Sequence, residues 1–408
     1  MQRLADYPGF LLAEHGGIRL RKLYSQYLSD MKYHLLSDFA RHCVLGSLRT
    51  VRETIEAGNA PDILGRETPY KFGYAALVVY GAQHLVISTG TRLEPDHAGT
   101  LKYLLSMGAP PSLADFAGYT PLHHACRTQT CLELVRILIQ AGADPNQQDR
   151  WGCVPVTGAL QVGCAQTLVA LLEAGASLDI EDGEGMSPAQ FAPQSGPVTT
   201  AIVQRWIRKR EGVSLPLQEK ACATCGGTGS GIKLCARCNA VWYCSKDCQK
   251  KDWHTHKLGC TPFHAGGTVT LKPHYEDIGK MYATSDVLRF AFGYEVVSKL
   301  PRRETRSVHV PHIRPGETKR MIIKIQVPYD VSTMGPRRDE QGDLMVFDKK
   351  RELVCRIRRQ DDEAGYLRLS RTIVAKGVGR LKAYFVAEMT SVDQLVVKIS
   401  EVLAEQAF

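Results

Sequence analysis

The sequence predicts a multidomain chain in three parts: an all-α repeat solenoid over residues 30–212 behind an N-terminal cap at 1–29, a small metal-stabilised module at 222–260, and an α+β domain over 261–408. Three observations carry this division. Eight Cys and His side chains crowd between Cys222 and Cys260, an Asp-x-x-Gly element recurs upstream at near-constant spacing, and short apolar runs typical of strands fill the remainder.

The module comes first because its chemistry is the most specific. Cys222, Cys225, Cys235, Cys238, Cys244, Cys248, His256 and Cys260 follow C-x2-C-x9-C-x2-C-x5-C-x3-C-x7-H-x3-C. A C-x2-C pair aims two sulfurs at one ion, and x3 spacings put two ligands on one face of a helical turn. Eight ligands suffice for two closed tetrahedral zinc sites, and closed sites are structural, whereas a catalytic zinc keeps a position open for water. Spacing alone admits either sequential or interleaved pairing. His256 is preferred over His254 as the ligand because His-x3-Cys is a helical i, i+4 spacing and His254 to Cys260 is not.

The run CATCGGTGSGIKLCARCNAVWYCSKDCQKKDWHTHKLGC resembles the MYND zinc-finger family, with His254 standing where these fingers often carry Pro. The resemblance implies interleaved sites: Cys222, Cys225, Cys244 and Cys248 on one ion, Cys235, Cys238, His256 and Cys260 on the other. It also implies binding of short proline-containing peptides, often of Pro-x-Leu type, at positions matching Gln249 and Trp253. An extended peptide could add to the edge of the strand in AVWYC, with the Trp253 face taking proline or leucine and the Gln249 amide serving as a polar anchor. The competing reading is that Trp253 only caps the zinc core.

Composition bounds the compartment and the partners. Thirteen cysteines, six of them scattered singly outside the finger, and an apolar-poor start (MQRLADYPGF) argue for zinc rather than disulfides in a reducing compartment, hence cytoplasm or nucleus. No run approaches the ~18 apolar residues of a membrane span. The formal charge of +9 invites a nucleic-acid reading. Seven thiolates and two Zn2+ offset about three of those charges. The clusters RWIRKR, PRRETR and PRRD are short and lack the spacing of a sequence-specific reader.

Upstream, DFAGYTPLHHACRTQTCLELVRILIQAGADPN from Asp115 resembles a complete ankyrin repeat, and its elements return at Asp149 and Asp182, at periods of 34 and 33 residues. Asp and Gly shape a hairpin turn, the Pro after Thr, Val or Ser starts a helix, and Gly-Ala ends the next one. Weaker copies at LLSDFARHCVLGSLRTVRETIEAGNAPD and DILGRETPY extend the array to about five repeats. The second of these carries an insertion near 80–100, and TAIVQRWIRKR is the closing helix. In this frame Phe116, Ala117 and Tyr119, then Arg150, Trp151 and Cys153, project from hairpin tips. Aromatic and Arg side chains dominate protein interfaces, so these tips are expected either to bind a partner or to pack on the chain's own C-terminal domain.

Residues 261–408 resemble no known family. RSVHVPHI, KRMIIKIQV, DLMVFD, ELVCRI, GYLRLS and LKAYFVAEM read as strands, DKKR as a turn, SDVLRFAFGYEVVSKL as a helix, and Ser391 with Gln394 as the capping box of a closing helix bearing Leu395, Val396, Ile399, Val402 and Leu403. MYND fingers also occur in SET-domain lysine methyltransferases, which carry an Asn-His-x-Cys segment and a catalytic Tyr near the cofactor. Neither motif appears here, and Tyr366, Tyr384, His309 and His312 read equally well as structural residues. The expectation is a non-enzymatic adaptor for protein partners, ahead of a transcriptional regulator recruiting a corepressor and of a SET-like methyltransferase.

Overall fold

The computed structural model describes residues 7–405 apart from 8, 30, 32, 86–94, 214–219, 239, 261, 264–266, 277–307, 315, 331–334 and 338–340. The core of the insertion (86–94) and the helix expected over 285–300 therefore lie outside the described residues. Contacts divide the chain into two compact units, one ending at Val203 and one beginning at Gln204.

The first unit is helical. After α1 (Gly17–Ser29) come α2 (Asp38–Val44), α3 (Leu48–Glu56), α4 (Tyr74–His84), α5 (His97–Ser106), α6 (Pro121–Ala125), α7 (Leu132–Gln140), α8 (Pro155–Val162), α9 (Ala165–Glu173), α10 (Pro188–Phe191) and α11 (Pro197–Glu211), the last reaching into the second unit. Neighbouring pairs pack on one another, α4 on α2 and α6, α7 on α5 and α9. Each hairpin before a Pro-initiated helix is built the same way. Asp115 Oδ1 accepts from the amides of Ala117 and Tyr119 at 2.8 and 2.9 Å, and Asp149 Oδ1 from Trp151 and Cys153 at the same distances. Asp182 Oδ1 accepts from Glu184 and Met186, both at 3.0 Å. The turn Asp thus satisfies two amides, buried at Asp115 and Asp149, that have no ladder partner.

Consecutive hairpins are stitched by single backbone hydrogen bonds, Phe116 N to Tyr70 O, Arg150 N to Ala117 O and Gly183 N to Trp151 O. The fit explains two glycines. Gly118 and Gly152 have φ of 79° and 78°, and a Cβ there would sit 2.8 and 2.6 Å from the next hairpin's backbone nitrogen. Between hairpins, His123 is buried with its Nδ1 accepting from Thr120 N at 3.2 Å and its Nε2 3.1 Å from Cys153 O. Burial pushes its pKa down to about 4, so the ring stays neutral and donates to the following hairpin.

The N-terminal segment corrects one expectation about the tips. Tyr119 and Trp151 are 3% and 6% exposed, and with Ala117 and Cys153 they form a core with Leu11, Leu20 and Tyr24. The Trp151 indole donates to Gly17 O at 2.9 Å, Arg21 lies over its ring at 4.7 Å, and Leu11 N donates to Arg150 O at 2.7 Å. Phe116 and Arg150 are half-buried, and the Arg150 guanidinium donates to Tyr7 O. The aromatic tips are therefore covered by Tyr7, Leu11 and α1 rather than solvated, because α1 carries an apolar stripe of its own (Leu20, Tyr24, Leu28) that needs a partner.

The second unit holds the finger and a sheet-rich domain. Finger elements are β1 (Lys233–Leu234), β2 (Trp242–Tyr243) and α12 (Lys246–Gly259). Then follow β3 (Thr268–Leu271), β4 (Pro273–His274), β5 (Lys319–Gln326), β6 (Tyr329–Asp330), β7 (Gly335–Pro336), β8 (Leu344–Asp348), β9 (Val354–Ile357), α13 (Glu363–Lys376), β10 (Lys382–Ser391) and β11 (Gln394–Lys398). The main antiparallel sheet runs β3-β11-β10-β5-β8-β9-β4. Only Lys272 separates its two edge strands. Two residues span at most about 7 Å, so the sheet curls until its edges nearly meet.

Helix α13 packs on β3 and β10, placing Tyr366, Leu369 and Ile373 among Ile323, Ile325, Phe385, Leu395 and Val397. GYLRLS, expected as a strand, is inside this helix: Asp362 caps it by accepting from Gly365 N, and the buried residues 366, 369, 370 and 373 follow a helical period. The expected closing helix is instead β11. Ser391 pairs with Gln394 across a two-residue turn, so the apparent capping box is a hairpin corner, and Leu395 and Val397 alternate into the core. In RSVHVPHI the described residues make one bridge, His309 to Val354. The β3 and β4 segments carried no expectation. No described helix is long and apolar enough to cross a membrane.

Candidate metal centre and peptide surface

Two tetrads gather in the finger: Cys222, Cys225, Cys244 and Cys248, and Cys235, Cys238, His256 and Cys260. Within each, the ligand atoms lie within 4.8 Å of one another. The pairing is interleaved, and local structure explains it. The β1–β2 hairpin, in register Lys233 with Tyr243 and Leu234 with Trp242, brings the second knuckle beside the strand end that leads to Cys244. Ser245 then caps α12 by accepting from Cys248 N at 3.1 Å, so Cys248 sits in the first turn and His256 in the last, followed by Cys260.

The spacing of the donor atoms tests the fit to zinc. Tetrahedral geometry with Zn–S of about 2.3 Å and Zn–N of about 2.0 Å requires S···S edges of about 3.8 Å and S···N edges of about 3.5 Å. Cys225 to Cys244 is 3.6 Å, Cys244 to Cys248 is 3.5 Å, Cys235 to Cys260 is 3.9 Å and Cys238 Sγ to His256 Nε2 is 3.5 Å. These donors suit two zinc ions. His254 does not compete, since its Nδ1 lies 2.9 Å from Lys251 O on the exposed side of α12.

The two sites differ in exposure. Cys225 and Cys244 are exposed and Cys248 half-buried, whereas Cys235, Cys238 and Cys260 are buried and only His256 is half-buried. Around the second site, the Gln249 amide donates to Cys235 Sγ at 3.6 Å, and the Tyr243 hydroxyl donates to Asp252 at 2.6 Å. Such outer contacts orient ligands and offset thiolate charge. Gln249, expected as a peptide anchor, thus has a partner beside the metal. Trp253 is 36% exposed, with its ring 5.9 Å from that of His256. It leans on the second site's ligand and still offers surface to solvent. At β2, Trp242 O already accepts from Ala223 N at 2.9 Å, so that part of the strand edge is occupied.

A contact missed from sequence ties the finger to the sheet domain. Leu234 and Trp242, on the hairpin face away from the metals, pack against Phe263, Tyr384, Val386 and Leu403. Within the same unit, Arg208 of α11 and Glu405 form a separate buried bidentate ion pair, with Nη1 to Oε2 at 2.7 Å. The alternation of Trp242 and Tyr243 across a two-residue strand was the available signal, because two neighbouring aromatics on a strand face opposite sides. Among the groups weighed for catalysis, Tyr366 is fully buried with its hydroxyl donating to Gly342 O at 2.7 Å, Tyr384 is in the finger interface, and His309 bonds Arg351 O.

Comparison with known proteins agrees with this geometry. Residues 222–260 match the MYND finger family and residues 117–150 the ankyrin repeat family, while no family matches the C-terminal region. N-lysine methyltransferase SMYD2 of Homo sapiens is 44% identical over 41 residues, 10% of this chain and 10% of that protein. Zinc finger MYND domain-containing protein 10 homolog of Drosophila melanogaster is 52% identical over 42 residues, 10% of this chain and 9% of that protein. SET domain and MYND-type zinc finger protein 6 of Schizosaccharomyces pombe is 44% identical over 54 residues, 13% and 11% of the two chains. The chain thus spans about a tenth of the length of these relatives, and the likeness lies in the finger region.

Proposed function

We propose that this chain is a non-enzymatic adaptor, in which about five stacked ankyrin repeats and the MYND finger each engage protein partners, the finger by taking a proline-containing peptide beside Trp253. The observation that carries the reading is the pair of four-ligand tetrads beneath an incompletely buried Trp253. With all four positions of each ion filled by protein, zinc supplies folding energy and no site for an activated water, while α12 presents a rigid helix face. The matches to the MYND finger and ankyrin repeat families support protein partners. With the Trp242 carbonyl in use, the peptide runs over the Trp253 side of α12 rather than along β2.

Transfer of a methyl group separates this from the SET-type reading. Incubating the zinc-loaded chain with labelled S-adenosylmethionine and histones or total cell protein is expected to give no incorporation above background. Reproducible incorporation, abolished by a single substitution within residues 261–408, overturns the adaptor.

A further inference from the structure

Lys246, Lys250, Trp253 and Lys257 recur along α12 at spacings of four, three and four, which places them in one stripe on the helix surface. All four are exposed, Trp253 least so, and none of the three lysines forms an ion pair among the described residues. The acids of this helix stand off the stripe: Asp252 is turned toward Tyr243, to whose hydroxyl it is bonded, and Asp247 lies about a quarter turn away. One aromatic surface is therefore bracketed by lysines that have no ion-pair partner among the described residues. Along the axis, Lys250 and Lys257 stand about 4.5 and 6 Å from Trp253. An extended peptide advances about 3.3 Å per residue, so acidic side chains two positions either side of an apolar residue fall near both ammonium groups.

We infer that the finger selects acidic peptides: an apolar or proline residue seats on Trp253, and carboxylates flanking it pair with Lys250 and Lys257, with Lys246 extending the stripe. This rests on the peptide reading of Trp253 and adds its charge specificity. A nucleic-acid backbone would meet the same charges. The Trp253 ring, however, leans on His256 at 5.9 Å and is only partly exposed, which suits an aliphatic or prolyl contact better than stacking of a base.

The test uses the full zinc-loaded chain and two fluorescent nine-residue peptides with a Pro-Ser-Leu centre, one with glutamate two positions to each side and one with glutamine there. At low salt the acidic peptide is expected to bind about tenfold tighter, the gap shrinking as salt rises. Lys250→Ala with Lys257→Ala should bring it to the level of the neutral peptide while both zincs remain. Equal affinities, both lost in Trp253→Ala, overturn the charge selection and leave the peptide site standing. Binding of neither peptide removes both readings. A ten-nucleotide oligothymidine that binds tighter than the acidic peptide and displaces it assigns the stripe to nucleic acid and overturns the inference.

Discussion

Cys235→Ala is expected to unfold the finger and to lower bound zinc below two per chain, while the helical repeats keep their circular dichroism. Cys235 is a buried ligand at the end of β1, in contact with Gln249 and Cys260. A structural zinc site contributes on the order of 10 kcal/mol of apparent binding energy that is also folding energy, and a finger of this size has little apolar core beyond its ligands. The effect should spread in one direction. Leu234 and Trp242 share a core with Tyr384, Val386 and Leu403, so loss of the hairpin strips cover from one face of the sheet and lowers the melting temperature of the C-terminal domain too. Retention of two zincs in the variant, by metal analysis, would contradict the ligand assignment. An unchanged C-terminal melting transition would contradict the shared core.

Trp151→Ala is expected to cost about 3–5 kcal/mol of stability in the first unit, as large aromatic truncations in a core do. The side chain is 6% exposed, sits 5.6 Å from the Tyr119 ring beneath Arg21, and donates to Gly17 O. Denaturant unfolding followed by helix signal measures the loss. Limited proteolysis should show earlier cleavage within residues 7–29, because their contacts with the tips are gone. A variant of unchanged stability that loses a protein partner would mean that Trp151 faces solvent and serves binding instead.

The structure shows where sequence is informative. In the finger, the eight ligands could be read from their spacing, while their interleaved pairing came from the family resemblance and is fixed in the structure by the β1–β2 hairpin. The hairpins were equally readable, since Asp115, Asp149 and Asp182 each make the same pair of amide contacts. What covers a surface is a different matter. Trp151 and Tyr119 look like binding residues in the local frame, and only the distant segment from Leu11 to Leu28 makes them core. Residues 1–29 read only as a cap, and it is the structure that shows Leu20, Tyr24 and Leu28 turned onto the tips. Near the C terminus, Ser391, Gln394 and the apolar residues after them fit a helix by cap and period. Pairing of β11 with β3 and β10 overrides that local preference, because the β-branched Val396 and Val397 suit a strand and the sheet needs both neighbours.

The central claim is that the exposed side of Trp253, over an intact two-zinc finger, receives a peptide. Calorimetric titration of a Pro-x-Leu peptide into the full chain and into Trp253→Ala, with zinc measured in both, tests it directly. The account predicts saturable binding to the parent and none to the variant, with two zincs in each. Equal binding to the two, or loss of zinc along with the peptide, would contradict it and return Trp253 to a role in capping the metal core.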